Sequence, residues 1–462
     1  MNHKTLSHDA PRRDFLRYAA LYSAIGTGPM AGALLATGAA HAQAVSGQNG
    51  HKALVCINLI GGNDQSNTVV PTSTTEYNAY ATARGNLALG RTQVLGITPL
   101  GYGGPALGLH PSLAAIKPLF DQGRVALVAN VGPLAHPINK AQWNNGQPTV
   151  PVPFQLTSHS DQTGAWQSGL PDRPSSTGWF GRIGDLTAGA YNAGSGVSIA
   201  MSLAGNNMLQ AGEQTIQYQL TTQGAVKVQA LNGLYGSAAG ATATQRLMTD
   251  PRSGLFDNEL VKIQARAIAS ESLVTNALAG ITLNVSFPST GIGRQLQMVA
   301  RMIAARGALG QSRQLFFVQQ GGFDFHDNLL NDQANLLKQV ADAMAAFQAA
   351  MVALGTEGSV TTFTTSEFGR ALQSNGRGSD HGWGSHHFVM GGAVLGNRVY
   401  GSFPTVAIGG PEDSGQGRLI PTTAVDEYGA TLARWFGVPD AQLPLVLPNL
   451  PRFARSNLGF LG

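Results

Sequence analysis

The sequence predicts an α/β protein built around one mostly parallel sheet. Three observations carry that expectation. Largely apolar runs recur at 53–60, 124–131 and 314–319, and a β-branched and aromatic run at 360–365, the pattern of strands in a buried sheet. The first two flank a short helical stretch, 109–119, in the β–α–β order that implies a right-handed crossover. A long helix over 328–354 carries Leu337, Val340, Met344, Phe347, Met351 and Leu354 in alternating steps of three and four. That is one apolar stripe, suited to packing against a sheet.

The strand ends carry the chemistry. Strand 53–60 runs into Gly61-Gly62-Asn63-Asp64, and strand 314–319 into Gly321-Gly322-Phe323-Asp324-Phe325-His326. Each is a glycine pair, one spacer and an Asp, at the carboxyl end where parallel sheets place ligands. The strand at 360–365 ends on Glu367 and Arg370. Beyond it a Gly/Asn/Ser loop is expected to hold Asp380, His381, His386 and His387, three of the chain's 11 histidines within seven positions. Asp64, Asp324, His326, Glu367, Asp380, His381 and His386 form an oxygen and nitrogen donor set without sulfur, suited to one or two Zn, Mn or Mg ions. Such a site activates a hydroxyl or water and steadies the leaving oxygen of an ester. Arg370 could clamp a phosphate or sulfate, or pair with Glu367. Ser158, in Thr157-Ser158-His159-Ser160-Asp161-Gln162, reads either as a helix N-cap or as a nucleophile over a helix N-terminus. Asp64 has an equally local alternative as an N-cap.

Composition bounds the rest. Hydrophobic residues at 43%, charged residues at 12% and 59 glycines describe a globular chain with a low-charge surface and ordered loops. A single domain is expected over 43–462, with a Gln/Thr/Ala/Gly-rich cap insertion at about 198–250. Further helices are expected at 258–279, 291–308 and 426–436, and a hairpin over 388–400 turning at Gly396-Asn397. The single cysteine, Cys56, excludes an intrachain disulfide, a C-x-x-C-H haem site and cysteine-held iron–sulfur clusters. Its place in an apolar run makes it a buried strand residue.

Residues 1–42 read as a targeting segment. Arg12-Arg13-Asp14-Phe15-Leu16 matches the twin-arginine export pattern, an interrupted apolar region follows, and Ala40-His41-Ala42 is an A-x-A cleavage site. The chain is then expected to meet the twin-arginine translocase, to work in the periplasm or outside the cell, and to begin at Gln43 when mature. Glycines and a proline in the apolar region argue against a membrane span. This segment carries a net +2 of the chain's formal +4, and the +2 left for the rest marks no nucleic-acid binder.

Taken together, Gly-Gly-Asn-Asp at 61–64, His-Ser-Asp-Gln at 159–162, Gly-Trp-Phe-Gly-Arg at 178–182, Gly-Gly-Phe-Asp-Phe-His at 321–326, Thr-Ser-Glu-Phe-Gly-Arg at 365–370 and the run 379–392 resemble an exported bacterial family of unknown function within the alkaline phosphatase/sulfatase superfamily. The resemblance implies a three-layer α/β/α sandwich. It implies metal-binding roles for Asp64, Asp324, His326 and the strand end at Glu367, with His381 and His386 supplying further imidazole. Phe368 stands where the superfamily places a histidine. The activity expected is metal-dependent hydrolysis of small anionic esters, phosphate esters with diesters or sulfates beside them, through in-line attack by Ser158 or a metal-activated hydroxide. The alternative is an exported binding or assembly protein that keeps the fold without turnover.

Overall fold

The computed structural model describes residues 50–233 and 236–462; the targeting segment lies outside them. In chain order the strands are β1 Lys52–Leu59, β2 Val69–Pro71, β3 Leu95–Ile97, β4 Leu107–Leu109, β5 Val125–Gly132, β6 Ala200–Ser202, β7 Tyr218–Thr221, β8 Gly224–Ala225, β9 Arg313–Gln320, β10 Val360–Ser366, β11 Arg370–Ser374, β12 Ser379–His381, β13 Ser385–Gly391, β14 Val399–Tyr400 and β15 Thr423–Ala424. The central sheet runs β14-β5-β13-β10-β1-β9-β6-β7-β8, with β15 also paired to β5. Only β13 and β8 run against their neighbours, so the sheet is mostly parallel.

The layers follow from the alternation of β1. Ala53, Val55, Ile57 and Leu59 face a core that includes Leu296, Val299 and Ile303 of the helix Gly291–Ala304 and Leu337, Met344 and Phe347 of the helix Leu329–Ala353. Leu54 and Cys56 face the other way. They meet Trp179, Phe180 and Ile183 of the helix Trp179–Tyr191 and Tyr428, Leu432 and Phe436 of the helix Val425–Phe436. Helices therefore cover both faces, giving the three-layer α/β/α sandwich. Cys56 is fully buried and burial pushes its thiol up to about 12, so it is an inert core residue.

Several elements differ from expectation. The stretch 109–119 is not one helix: His110 starts a short 3-10 turn, Pro111–Leu113, and the helix forms only at Lys117–Asp121. The segment expected as a cap begins inside the main sheet, where β6 pairs with β9, and ends in the helix Ala238–Thr249. The 388–400 hairpin does not form. β13 pairs antiparallel with β10 and β5, while β14 pairs parallel with β5, so the apolar run is shared between partners rather than folded on itself. Among the described residues no helix is long and apolar enough to cross a membrane.

The second face holds one group that costs stability. Asp426 is buried, and among the described residues neither of its carboxylate oxygens has a hydrogen-bond partner. Burial pushes its carboxyl up to about 8, Glu427 adding to this and Arg182 and Arg452 partly opposing it. The folded chain thus holds a proton that the unfolded chain releases above about 4. Stability should fall as pH rises from about 4 to about 8, by up to ~1.4 kcal/mol per pH unit, and level off beyond. Asp426→Asn should flatten that slope in denaturant titrations across the range.

Candidate metal centre

Three parallel neighbours, β10, β1 and β9, end level with one another: Leu59 pairs with Ser366 on one side and Gln320 on the other. Their exits deliver the 61–64, 321–326 and 367–370 turns to one rim. Gly61 and Gly62 both have positive φ (113° and 87°), and a Cβ on either would collide with the Asp324 backbone or the Phe368 ring. The glycine pair is what lets these turns close on each other.

Asp324 sits at the centre. Its Oδ1 lies 3.3 Å from both His326 Nε2 and His381 Nε2, and its Oδ2 lies 3.6 Å from His159 Nε2. One ligand atom each from His159, Asp324 and His381 falls within a 4.8 Å span. The outer nitrogens of two imidazoles are already committed. His381 Nδ1 is 2.7 Å from the Thr157 carbonyl, and His159 Nδ1 is 2.5 Å from Glu367 Oε2. A carbonyl or carboxylate oxygen only accepts, so both Nδ1 atoms carry a hydrogen, and in the neutral tautomer of each ring Nε2 is the nitrogen left to offer a lone pair on the Asp324 side. Two Nε2 atoms and a carboxylate facing one point make a donor set that a divalent cation would fit. Orienting partners of this kind on the far ring nitrogen are the usual backing of metal-ligating histidines.

Electrostatics agree with that reading. Burial acts to raise the Asp324 carboxyl, but the hydrogen-bonded Arg370 guanidinium, with help from His326 and His381, outweighs it and holds the group below the usual carboxylate range. Burial lowers His381, aided by Arg370 and His159 and opposed by the Thr157 carbonyl and Asp324, which favours the neutral, ligating form. Phe368 is buried and stacks on His381 at 4.4 Å between ring centroids, with His159 at 5.1 Å. Where the resemblance led one to expect an imidazole, an aromatic wall fixes two others.

The remaining candidate residues divide. His326 belongs to the cluster, its Nε2 2.9 Å from His381 Nε2, and Asp380 lies behind it at 3.6 Å. Glu367 is buried, with Oε1 accepting from Gly61 N–H at 3.2 Å and Oε2 from His159, so it orients the His159 ring. Arg370 is also buried. It donates to the carbonyls of Gly62 (2.9 Å), Ser379 (2.5 Å) and Gly61 (2.6 Å) and to Asp324 (2.5 Å), which leaves little with which to clamp a substrate anion. Asp64 is fully buried away from the cluster: it caps the short helix Gln65–Thr68 through Ser66 N–H at 3.0 Å and forms a buried ion pair with Arg84. His386 and His387 lie inside β13, not on a loop, and alternate between the two faces of the sheet. His386 Nδ1 accepts from Asn130 N–H, while His387 packs on Trp166 and Tyr428. Burial lowers both to about 3, so they are neutral core residues outside the cluster. Ser158 caps the helix His159–Ser168, its hydroxyl 2.5 Å from Asp161 Oδ2.

His159 was not singled out in the sequence. It is the first residue of that helix, and the cap residue beside it drew the attention. Its only sequence signal is its place in the His-Ser-Asp-Gln block.

A family model described as a protein of unknown function, DUF1501, matches residues 51–414. The chain belongs to this family. The matched span holds every residue of the cluster. No curated protein matches the chain. Among solved structures, it is similar to Ps i-CgsB (TM-score 0.35, 8% identity, covering 87% of this chain and 77% of that one). It is also similar to the PsFucS1 sulfatase from Pseudoalteromonas sp. (0.33, 11%, 92% and 73%) and to the phosphonate monoester hydrolase SpPMH from Silicibacter pomeroyi (0.30, 11%, 86% and 77%). These likenesses are distant.

Proposed function

We propose that this DUF1501 chain is a metal-dependent hydrolase of small anionic esters, phosphate esters first and diesters or sulfate esters within its range, acting after export. The observation that carries the reading is the convergence of two imidazoles, each with its tautomer fixed from behind, on the Asp324 carboxylate. His159, Asp324 and His381, with His326 beside them, would hold a divalent ion; nitrogen and oxygen donors in this number suit Zn or Mn. Such an ion, when bound, polarises the ester and lowers the pKa of water. The chain's own residues do the rest. Glu367 and the Thr157 carbonyl hold the imidazoles in register, Arg370 keeps Asp324 ionised and aimed, and Phe368 shields one side of both rings from water.

Substrate anion recognition falls to another cation. Arg418 donates Nε to the His381 carbonyl at 2.8 Å, and among the described residues no acceptor takes its terminal nitrogens. Arg418→Ala should raise KM for an anionic ester about tenfold or more while changing kcat less, as expected for a lost charge-assisted contact. Ser158 serves as a cap: Ser158→Ala should cost about 1 kcal/mol of stability and leave kcat nearly unchanged. A nucleophile would lose turnover altogether.

The hydrogen-bonded state of Ser158 favours a second reading as well, a metal-holding binding protein with no side-chain nucleophile. Mono- and bis-p-nitrophenyl phosphate and p-nitrophenyl sulfate, assayed with the metal-loaded chain and with His159→Ala, separate the two. Turnover that His159→Ala removes supports the hydrolase; bound metal with no turnover on any ester supports the binding role.

A further inference from the structure

The helix Leu255–Leu278 turns Val261, Val274 and Leu278 into the fold. Over its first turns the same stripe that leads on to Val274 and Leu278 is apolar and uncovered: Phe256 is 81% exposed, Leu260 55% and Ile263 54%. With the exposed Ala267, these residues step by four, three and four, the seam of a helix that expects a partner helix. Charges flank the seam in a mixed pattern. Asp257 and Glu259 stand toward one end, Lys262 and Arg266 toward the other. A membrane-surface helix would instead concentrate lysine and arginine on its polar face.

We propose that this face is a self-association surface on which a second copy of the chain docks the same helix antiparallel. A two-fold contact must be self-complementary, and this helix satisfies that in one register. Setting Leu260 opposite the partner's Ile263 also sets Phe256 opposite the partner's Ala267, a large side chain over a small one. On one flank the same register brings Glu259 alongside the partner's Arg266, and symmetry repeats the pair. Among the described residues Arg266 forms no ion pair, while Glu259 reaches only Lys262 of its own helix at 3.3 Å. The other flank brings Asp257 beside the partner's Gln264, a carboxylate against an amide donor. Apolar layers and charge pattern thus agree on one arrangement, and neither involves a residue of the metal centre.

Sedimentation equilibrium of the full chain tests this with Leu260→Asp, Glu259→Arg, and Glu259→Arg combined with Arg266→Glu. The expected result is a wild-type dimer at micromolar concentration. Leu260→Asp should weaken it by about 100-fold and Glu259→Arg by about tenfold, the double swap returning to near wild type. Circular dichroism of the folded chain should be unaffected, since the substituted side chains are exposed. A monomeric wild type overturns the proposal, whether or not it cosediments with phosphatidylglycerol vesicles. So does a dimer indifferent to Leu260→Asp, or a charge swap that fails to rescue. The charge-swap pair keeps the test intact should Leu260→Asp fold poorly.

Discussion

Asp324→Ala is expected to strip the chain of its metal and of any ester hydrolysis that depends on it. Among the described residues Asp324 is the carboxylate toward which His159, His326 and His381 all turn. Removing it leaves three imidazoles without the negative charge that balances a divalent ion. It also frees the Arg370 guanidinium, which then sits as an unopposed positive charge beside the site. Loss of a residue that merely orients a ligand commonly costs about 10–100-fold in affinity or activity, so loss of this ligand should exceed about 100-fold. The fold should survive, because Asp324 is only partly buried and the backbone turn is held by Gly61 and Gly62. Metal content and circular dichroism on the same preparation would check both halves of the expectation.

The largest stability effect should come from a pair that looks equivalent in the sequence. Asp64 and Arg84 are both fully buried and bonded to each other, and Arg84 further donates to the carbonyls of Ala371 (3.1 Å) and Leu372 (3.2 Å). Breaking a buried pair by removing one member strands the other charge without water, at a cost of about 3–5 kcal/mol. Arg84→Met should therefore lower stability in denaturant unfolding by that amount. Adding Asp64→Asn, which removes the orphaned charge and keeps an oxygen for the Ser66 cap, should recover most of it. If Asp64 held the metal instead, Asp64→Asn would reduce metal content; here it should leave it unchanged.

That contrast shows where the sequence runs out. Both Asp64 and Asp324 follow a glycine pair and a spacer at the end of a central parallel strand, and nothing local tells them apart. What separates them is the partner. Asp64 meets Arg84, twenty residues on in a helix that packs underneath, and Asp324 meets imidazoles contributed by segments that no spacing connects. β1 and β5 are legible because a strand buried on both faces is apolar nearly throughout, β10 through its β-branched and aromatic run, and the long helix because its stripe must face the sheet. The resemblance implies the three layers, and helices on both faces of the sheet form them.

The histidine cluster misled for a different reason. His381, His386 and His387 share a short stretch, yet the loop ends sooner than composition suggests. β13 begins at Ser385, and strand alternation sends His386 and His387 to opposite cores. Only His381 stays at the rim. The run of Phe388, Val389 and Met390 after them was the available sign that the strand had already started. His159 was missed through the opposite error, since a good N-cap beside it explained the segment too well.

Elemental analysis of the chain purified without chelator, set beside His159→Ala prepared the same way, bears most directly on the centre described here. The wild type should carry about one divalent ion per chain, and the variant, folded by circular dichroism, should carry little. A wild type that takes up no metal even when offered Zn or Mn, or a His159→Ala chain that keeps a full complement, would contradict it.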